Sequence, residues 1–269
     1  MFIDCQALAE SEIERLKNVV SKLEEKPILY IVQIGNDYAS NVYIRNKIRV
    51  AERIGIDARH MTFSEDVHFD ELLWEIADME YGVESGAVMV QLPVPKHLEG
   101  IEHYVSPSRD VDGLHLENLG KLFIGDKSGH VPCTGKGIMK ILEPYELEGK
   151  RAVVVGRSDI VGKPIAHLLL DRDCTVTVCH SKTKGLQNIT READIVICAI
   201  GNPNFFTKEY FKEDAIVIDV GINRNPETGK ICGDVNPEVA EIANLTPVPK
   251  GVGLLTVVSL MENVIRSRK

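Results

Sequence analysis

Residues 151–166 read Arg-Ala-Val-Val-Val-Gly-Arg-Ser-Asp-Ile-Val-Gly-Lys-Pro-Ile-Ala, and they predict a buried strand that turns sharply into a helix. Three consecutive valines before Gly156 are typical of a strand covered on both faces, and Pro164 suits the first turn of a helix. Backbone N–H groups converge at such a junction and favour a phosphate. The usual G-x-G-x-x-G pattern is not met, because Ser158 stands where its second glycine would be. The stretch alone therefore also fits an ordinary strand–helix turn.

A second apolar run, Thr175–Cys179, ends at His180 and Ser181. A dinucleotide-binding domain places the residue that reads the ribose at this point, and NAD enzymes usually have Asp or Glu there. Here Ser181 takes that place, with two lysines nearby and Arg157 in the preceding turn. A guanidinium and a hydroxyl would hold a ribose 2′-phosphate that a carboxylate would repel. These residues favour NADP over NAD, the alternative being a turn with a solvated arginine.

Composition sets the class of protein. A chain of 269 residues suits two domains of ordinary size, or one large α/β unit, and its 44% hydrophobic and 26% charged residues are typical of a globular protein. No apolar run approaches the roughly 18 residues of a membrane helix, and the start lacks the features of a signal peptide. A net charge of −9 argues against binding to nucleic acid or to an anionic membrane. We expect a cytoplasmic protein that binds neither.

The cysteines and histidines show no metal-binding spacing. Six cysteines contain no C-x-x-C pair, and eight histidines are scattered without an H-E-x-x-H motif. Several cysteines lie inside apolar strand patterns, where reduced and buried thiols are expected. The sequence therefore predicts no metal site and no disulfide.

Strand and helix patterns alternate along the chain. The predicted elements of the first 120 residues are a helix at 7–25, a strand at 28–34, a helix at 40–54 capped by Ser40 and stopped by Gly55, a strand at 58–63, a helix at 69–81 and a strand at 87–91. Those that follow are a helix at 134–141, strands at 175–179, 194–200 and 215–220, a hairpin turn at 225–230 and a helix at 255–265. Such alternation predicts parallel sheets covered by helices.

Tyr43 and Lys47 lie four residues apart on one predicted helix, so they project from the same face. That face also carries Val50 and Ile54. The lysine either extends its ammonium to water along an apolar stem, or is buried so that its pKa falls and it exchanges protons near neutral pH.

Three further stretches carry polar or conformationally special residues. Gln91 follows a strand at the edge where open α/β sheets bind ligands, although the two prolines beside it are equally a structural stop. Asp110 and Asp112 are one residue apart, so at most one is expected to face a ligand, and a solvated turn is the alternative. Residues 246–253 form a Gly- and Pro-rich loop, either functional or a rigid connector.

Seven motifs together resemble one known family, that of bifunctional methylenetetrahydrofolate dehydrogenase/methenyltetrahydrofolate cyclohydrolase. The resemblance covers nearly the whole chain. The motifs, in order, are Tyr43-x-x-x-Lys47, Val-Gln-Leu-Pro (90–93), Asp-Val-Asp-Gly (110–113), Pro-Cys-Thr (132–134), Gly-Arg-Ser-x-x-Val-Gly-x-Pro (156–164), Cys-His-Ser-x-Thr (179–183) and Thr-Pro-Val-Pro-x-Gly-Val-Gly (246–253).

The resemblance implies an enzyme of one-carbon metabolism that oxidises 5,10-methylenetetrahydrofolate with NADP and hydrolyses the product to 10-formyltetrahydrofolate. It implies that Lys47 is the catalytic lysine, that Tyr43 stacks on the folate, that Gln91 assists Lys47 and that Asp112 hydrogen-bonds the pterin. The other implied substrate residues are Val90, Leu92, Pro249, Gly251 and Gly253. The implied cofactor residues are Thr134, Gly156, Arg157, Ser158, Ser181 and Ile222.

The expected fold is α/β with two domains and a cleft between them. A folate-binding catalytic domain would comprise residues 1–121 and 255–269, and a Rossmann-like NADP-binding domain residues 122–254. The resemblance also suggests a homodimer formed through the cofactor domain.

Some residues depart from the family pattern, which usually reads Pro-Gly-Gly-Val-Gly-Pro-Met-Thr in the last loop. Here Lys250 replaces a glycine, and Leu254 and Leu255 replace Pro and Met. Lysine adopts a positive φ less readily than glycine, so the loop shape is open. Two alternatives therefore stay open: a member with dehydrogenase activity only, and a dinucleotide-sensing protein without turnover, which would need no titratable lysine.

Overall fold

The computed structural model describes residues 1–225 and 228–267, which form two compact units. The three-stranded unit comprises residues 10–133 and those from 257 onward, and the five-stranded unit comprises residues 1–9 and 134–256. The sequence placed residues 1–9 with the first domain. In the structure they pair beside the last strand of the five-stranded unit: Ile3 N donates to Leu245 O and Leu245 N donates to Met1 O, each at 2.9 Å.

The three-stranded unit has a parallel sheet in the order β2-β1-β3. The elements up to residue 142 are α1 (Cys5–Val20), β1 (Ile28–Ile34), α2 (Tyr38–Ile54), β2 (Asp57–Phe63), α3 (Phe69–Tyr81), β3 (Ala87–Val90), α4 (Leu116–Phe123) and α5 (Cys133–Leu142). The central strand β1 is buried from Leu29 onward, because sheet neighbours and helices cover both of its faces. This burial explains its mostly apolar sequence, in which Gln33 is the one polar side chain.

The start of α2 and the end of α1 differ from the prediction. Asp37, not Ser40, is the N-cap of α2: its carboxylate accepts a hydrogen bond from Ser40 N at 2.7 Å, so the helix begins at Tyr38. Helix α1 ends at Val20 instead of residue 25, because residues 21–26 are exposed and give the helix no buried face. The predicted stop of α2 is confirmed, since Gly55 has φ +99° and donates to Ala51 O and Glu52 O.

The five-stranded unit has a parallel sheet in the order β10-β7-β6-β4-β5. Its elements after α5 are β4 (Arg151–Val155), α6 (Gly162–Leu170), β5 (Thr175–Cys179), α7 (Leu186–Arg191), β6 (Ile195–Cys198), β7 (Ile216–Asp219), β8 (Asn223–Arg224), β9 (Ile231–Cys232) and β10 (Asn244–Leu245). The last helix, α8 (Val252–Arg266), begins in this unit and belongs to the three-stranded unit from residue 257 onward. From β5 the chain crosses to the other side of β4. The order in which the strands are added therefore reverses between β4 and β6. Doubly wound sheets bind their ligands at such a point.

The predicted hairpin is formed by β8 and β9, which pair antiparallel. Asn225 N donates to Lys230 O at 2.8 Å to close it, and Pro226 and Glu227 of the predicted turn lie outside the described residues. None of the six cysteines forms a disulfide among the described residues, and each is buried except Cys232, which is partly exposed. In the part of the chain that the structure describes, no helix combines the length and the apolar character needed to cross a bilayer.

Candidate active site

Lys47 is held by two acceptors from strand β3 and the residue after it. It lies midway along α2, and its Nζ is 2.8 Å from Gln91 Oε1 and 3.3 Å from Met89 Sδ. Burial lowers the pKa of Lys47, and the negative charge of Asp112 opposes this shift. The residue is half-buried, and the desolvation of its amine favours the titratable interpretation of this lysine over the solvated one.

Gln91 is oriented by a second hydrogen bond. Its Nε2 donates to Leu92 O at 2.7 Å, which turns Oε1 toward the lysine. Its own N–H donates to Val32 O at 2.8 Å and so continues the sheet one residue beyond β3. Val90, at the end of β3, is buried in the core of the three-stranded unit, whereas Leu92 is half-buried.

Tyr43 lies one helical turn before Lys47 on α2, and 36% of its surface is exposed. Burial of the remainder raises the pKa of Tyr43, so the phenol keeps its proton near neutral pH. The tyrosine therefore presents an accessible, uncharged ring beside the amine.

The two aspartates of residues 110–113 have different environments. Asp110 is buried and fixes the turn, because its carboxylate accepts hydrogen bonds from Gly113 N, His115 N and Asn118 Nδ2 at 2.7–3.0 Å. Gly113 has φ +77°, and a Cβ there would lie 2.6 Å from Val131 C, so only glycine fits. Asp112 is half-buried, and its charge acts on Lys47. Asp112 is thus the acid that is left to face a ligand.

A buried polar group behind this turn was not singled out from the sequence. Asn263 on α8 is fully buried, and its Nδ2 donates to Val111 O at 2.9 Å and to Val131 O at 3.1 Å. The thiol of Cys133 also donates to Val111 O, at 3.2 Å. Asn263 could have been found as an amide within the apolar face of the last helix, but its partners lie more than 100 residues earlier in the chain.

The turn between β4 and α6 is as compact as the sequence predicted, and α6 begins at Gly162 with Pro164 in its first turn. Gly156 has φ +132°, and a Cβ there would lie 2.3 Å from Ala199 O. A Cβ at Gly162 would lie 2.4 Å from Gly156 O. Ser158 Oγ accepts hydrogen bonds from Val161 N at 3.2 Å and Gly162 N at 3.3 Å. The two glycines therefore allow strand, turn and helix to approach closely, as in dinucleotide-binding folds.

The residues predicted to read the ribose lie at one edge of the sheet. Strands β4 and β5 are neighbours, and Gly156 N donates to Cys179 O at 2.9 Å, so the turns that follow them adjoin. Arg157, Ser158 and Ser181 are all exposed there. Residues 180–184 include no carboxylate. This edge fits a nucleotide that carries a 2′-phosphate.

The remaining predicted residues also belong to the five-stranded unit. Thr134 is half-buried near the start of α5, and Ile222 is 51% exposed after β7. Pro249 is exposed, Gly251 is buried and Gly253 lies in the first turn of α8, which begins at Val252 instead of the predicted residue 255.

Lys250 adopts the conformation that a glycine would take, with φ +77°. At the next position a Cβ would lie 2.1 Å from Pro247 O, so Gly251 cannot carry a side chain without movement of the loop. The loop is closed on itself at Gly251, and the lysine side chain is exposed.

Among residues 1–225 and 228–267, no group of three or more His, Cys, Asp or Glu side chains is placed to hold a metal ion.

Two family descriptions match the chain. "Tetrahydrofolate dehydrogenase/cyclohydrolase, catalytic domain" matches residues 3–112, and "Tetrahydrofolate dehydrogenase/cyclohydrolase, NAD(P)-binding domain" matches residues 132–269. The protein named "Bifunctional protein FolD" of Enterococcus faecalis is 46% identical over 99% of this chain and 98% of its own length. Its namesake of Rickettsia bellii is 43% identical over 99% and 98%.

Solved structures give the same result. The bifunctional methylenetetrahydrofolate dehydrogenase/cyclohydrolase of Campylobacter jejuni matches with a TM-score of 0.95 and 40% identity, over 99% of this chain and 98% of its own. The dehydrogenase-cyclohydrolase of Trypanosoma brucei, solved with NADP and an inhibitor, matches with a TM-score of 0.93 and 34% identity, over 99% and 96%.

Proposed function

The chain belongs to the tetrahydrofolate dehydrogenase/cyclohydrolase family, and from that premise we propose that Lys47, Gln91 and Asp112 act on its folate substrate. The protein is an NADP-dependent methylenetetrahydrofolate dehydrogenase and methenyltetrahydrofolate cyclohydrolase. It oxidises 5,10-methylenetetrahydrofolate to 5,10-methenyltetrahydrofolate and hydrolyses that product to 10-formyltetrahydrofolate.

The buried amine of Lys47 is the observation that carries the proposal. Loss of a hydride leaves a positive charge on the methenyl carbon and its two nitrogens. A permanent ammonium beside that carbon would oppose the charge, whereas a neutral amine does not. Burial favours the neutral form, since it lowers the pKa of Lys47.

The same amine serves the hydrolytic step. A neutral amine has two N–H groups and one lone pair. Its two N–H groups donate hydrogen bonds to Gln91 Oε1 and Met89 Sδ. The lone pair is left to accept the proton of a water molecule that attacks the methenyl carbon. When the bond from that carbon to a ring nitrogen then breaks, Lys47 returns the proton to the nitrogen, and the hydroxyl on the carbon loses its own proton to solvent as the formyl C=O forms.

Asp112 has two roles in this proposal. Its carboxylate accepts hydrogen bonds from the N–H groups of the pterin, as the resemblance implies, and its charge keeps the pKa of Lys47 from falling further. Tyr43 offers its exposed ring for stacking on the folate. Val90, Leu92, Pro249, Gly251 and Gly253 are the further substrate residues that we propose.

NADP supplies the acceptor for the hydride when it is bound. We assign its 2′-phosphate to Arg157 and Ser181, since a guanidinium and a hydroxyl are exposed at one edge and a carboxylate is absent from residues 180–184. Gly156 and Ser158 would hold the phosphates near the start of α6, with Thr134 and Ile222 as further contacts.

We also propose that the protein is a cytoplasmic homodimer. Its six cysteines form no disulfide among the described residues, which suits a reducing compartment. The edge strand β5 leaves Thr175, Thr177 and Val178 exposed, so its open side is available to a second copy.

A coupled assay tests the function. With 5,10-methylenetetrahydrofolate and NADP we expect the formation of NADPH, measured by spectrophotometry. In a separate reaction without nucleotide, we expect added methenyltetrahydrofolate to be converted to the 10-formyl product. NADPH formation with accumulation of the methenyl compound would identify a dehydrogenase alone. Binding of NADP with neither reaction would identify a sensing protein and overturn the proposal.

A further inference from the structure

Two aspartates of the five-stranded unit are buried without a role in the chemistry described above. Asp219 is the last residue of β7 and is 3% exposed, and Asp234 follows β9 and is fully buried. A buried carboxylate is costly unless hydrogen bonds compensate it. The partners of the two carboxylates therefore show what the arrangement maintains.

Asp234 joins two loops that follow neighbouring strands. Its Oδ2 accepts from Ile200 N at 2.7 Å and Gly201 N at 3.1 Å. Its Oδ1 accepts from Asn202 N at 2.9 Å and Asn223 Nδ2 at 2.8 Å. Residues 200–202 follow β6, and Asn223 follows β7, so a single carboxylate fixes both loops.

Asp219 in turn fixes Asp234. Its Oδ1 accepts from Asp234 N at 2.9 Å and Gly221 N at 3.0 Å, and its Oδ2 accepts from Val235 N at 2.9 Å. Two glycines make room for the pair: a Cβ at Gly233 would lie 1.8 Å from Asp219 Oδ2, and one at Gly221 would lie 2.3 Å from Asp234 Oδ1. Burial raises the pKa of Asp219 to about 7, which limits the negative charge of the pair at neutral pH.

Residues 200–202, which Asp234 holds, lie beside the point between β4 and β6 where the strand order reverses. Strand β6 is the neighbour of β4, and the backbones that follow them approach so closely that a Cβ at Gly156 would lie 2.3 Å from Ala199 O. Doubly wound sheets bind their nucleotide in the crevice at this point. The shape of residues 200–202 therefore determines one wall of the nucleotide site.

We propose that Asp234 is a positioning residue for NADP, which fixes residues 200–202 and Asn223 in the conformation that receives the nucleotide, with Asp219 as its support. This inference rests on the proposed function, because it takes the edge beside Gly156 as the NADP site.

The variant Asp234→Asn tests the inference sharply. Each oxygen of Asp234 accepts two N–H groups, so the NH₂ of an asparagine would face two donors whichever way the amide is turned. We expect the Kd for NADP, measured by titration calorimetry, to rise about tenfold or more, since hydrogen bonds to a charged group are lost. A purely electrostatic role would have the opposite sign: removal of a negative charge would tighten the binding of an anionic nucleotide.

Two matched variants separate positioning from charge and from general damage. Asp219→Asn removes a charge from the same pair. If the amide nitrogen takes the place of Oδ2, it faces a single N–H donor, that of Val235, and the other two hydrogen bonds are kept. We therefore expect a smaller rise in the Kd for NADP than in Asp234→Asn. Asp194→Asn alters a carboxylate at the amino ends of the strands, just before β6, where it accepts a hydrogen bond from Arg151 N. We expect the Kd of this variant for NADP to equal that of the wild type.

A milder variant covers the case in which Asp234→Asn does not fold. Asn223→Ala removes one donor to Asp234 from a half-buried position, and we expect a severalfold rise in Kd with the cyclohydrolase activity, which needs no nucleotide, preserved. The inference is overturned if soluble Asp234→Asn, or Asn223→Ala in its place, binds NADP as the wild type does or more tightly. Wild-type protein that shows no NADP binding would instead refute the proposed function.

Discussion

Lys47 Nζ and Gln91 Oε1 lie 2.8 Å apart, although 44 positions separate the two residues in the chain. The contact joins the middle of α2 to the end of β3 and holds a buried amine against a neutral acceptor. A carboxylate at position 91 would stabilise the ammonium, whereas an amide leaves burial free to favour the neutral amine. The choice of glutamine therefore matters to the protonation state of the lysine.

Replacement of Lys47 by methionine keeps most of the side-chain volume and removes the amine. If Lys47 carries the proton in the hydrolytic step as we propose, Lys47→Met should lower the cyclohydrolase kcat by about 100-fold or more. Hydride transfer needs no proton carrier, only the absence of a positive charge beside the reacting carbon, which methionine also provides. We therefore expect the dehydrogenase kcat to fall less than the cyclohydrolase kcat. Both rates are measured on the same preparation, with Lys17→Met on the exposed face of α1 as control. A cyclohydrolase rate near that of the wild type would remove the proton-carrying role.

The pH dependence of hydrolysis reports the charge state of Lys47. Its pKa in the folded protein lies below 10.5, and only the neutral amine accepts a proton, so kcat/KM for the cyclohydrolase is lost as the pH falls through that pKa. Asp112 raises the pKa of Lys47. In Asp112→Asn the acid limb of the profile should therefore move to lower pH. An acid limb that stays in place, or moves to higher pH, would show that another group titrates.

Several elements could be predicted from sequence to the residue. Strand β1, helix α3 and strand β5 have the predicted bounds. Pro27 and Gly35 interrupt the pattern just outside β1, Gly82 does so after α3, and β5 is a short run that ends at the polar His180 and Ser181. The start of α2 was wrong because Asp37 and Ser40 are both good N-caps three residues apart. Local preference alone does not decide between them.

The candidate site could be predicted in its residue types but not in its pairings. The helical spacing of Tyr43 and Lys47 fixes a common face, yet only the packing of that face on β3 decides whether the amine reaches water. Neither Met89 nor Asp234 was singled out from the sequence. Their roles depend on partners distant in the chain, as when Asp234 holds residues 200–202.

Gly156→Ala should cost the protein far more than an alanine at another glycine with positive φ. At Gly156 the added Cβ would lie 2.3 Å from Ala199 O and φ is +132°, so strain and overlap together should reduce the free energy of unfolding by about 2–6 kcal/mol. Gly185 has φ +67° with no atom within 4 Å of its Cβ position, so Gly185→Ala should cost about 1–2 kcal/mol for the backbone alone. Urea midpoints at unchanged slope measure both. Equal losses would mean that the close approach of β4 and β6 is not rigid.

The preference for NADP depends on Arg157 if the exposed edge after β4 and β5 receives the 2′-phosphate. Arg157→Ala should lower kcat/KM for NADP by about 10- to 100-fold, the value of one charge-assisted hydrogen bond, and leave kcat/KM for NAD unchanged, because NAD has no phosphate there. Arg151→Ala is the matched control: this arginine is exposed at the opposite end of β4, where it pairs with Glu192. Ser181→Asp should shift the preference in the same direction and further toward NAD, since a carboxylate repels the phosphate and accepts the ribose hydroxyls of NAD. An unchanged ratio of the two cofactors in Arg157→Ala would leave that arginine without a part in cofactor choice.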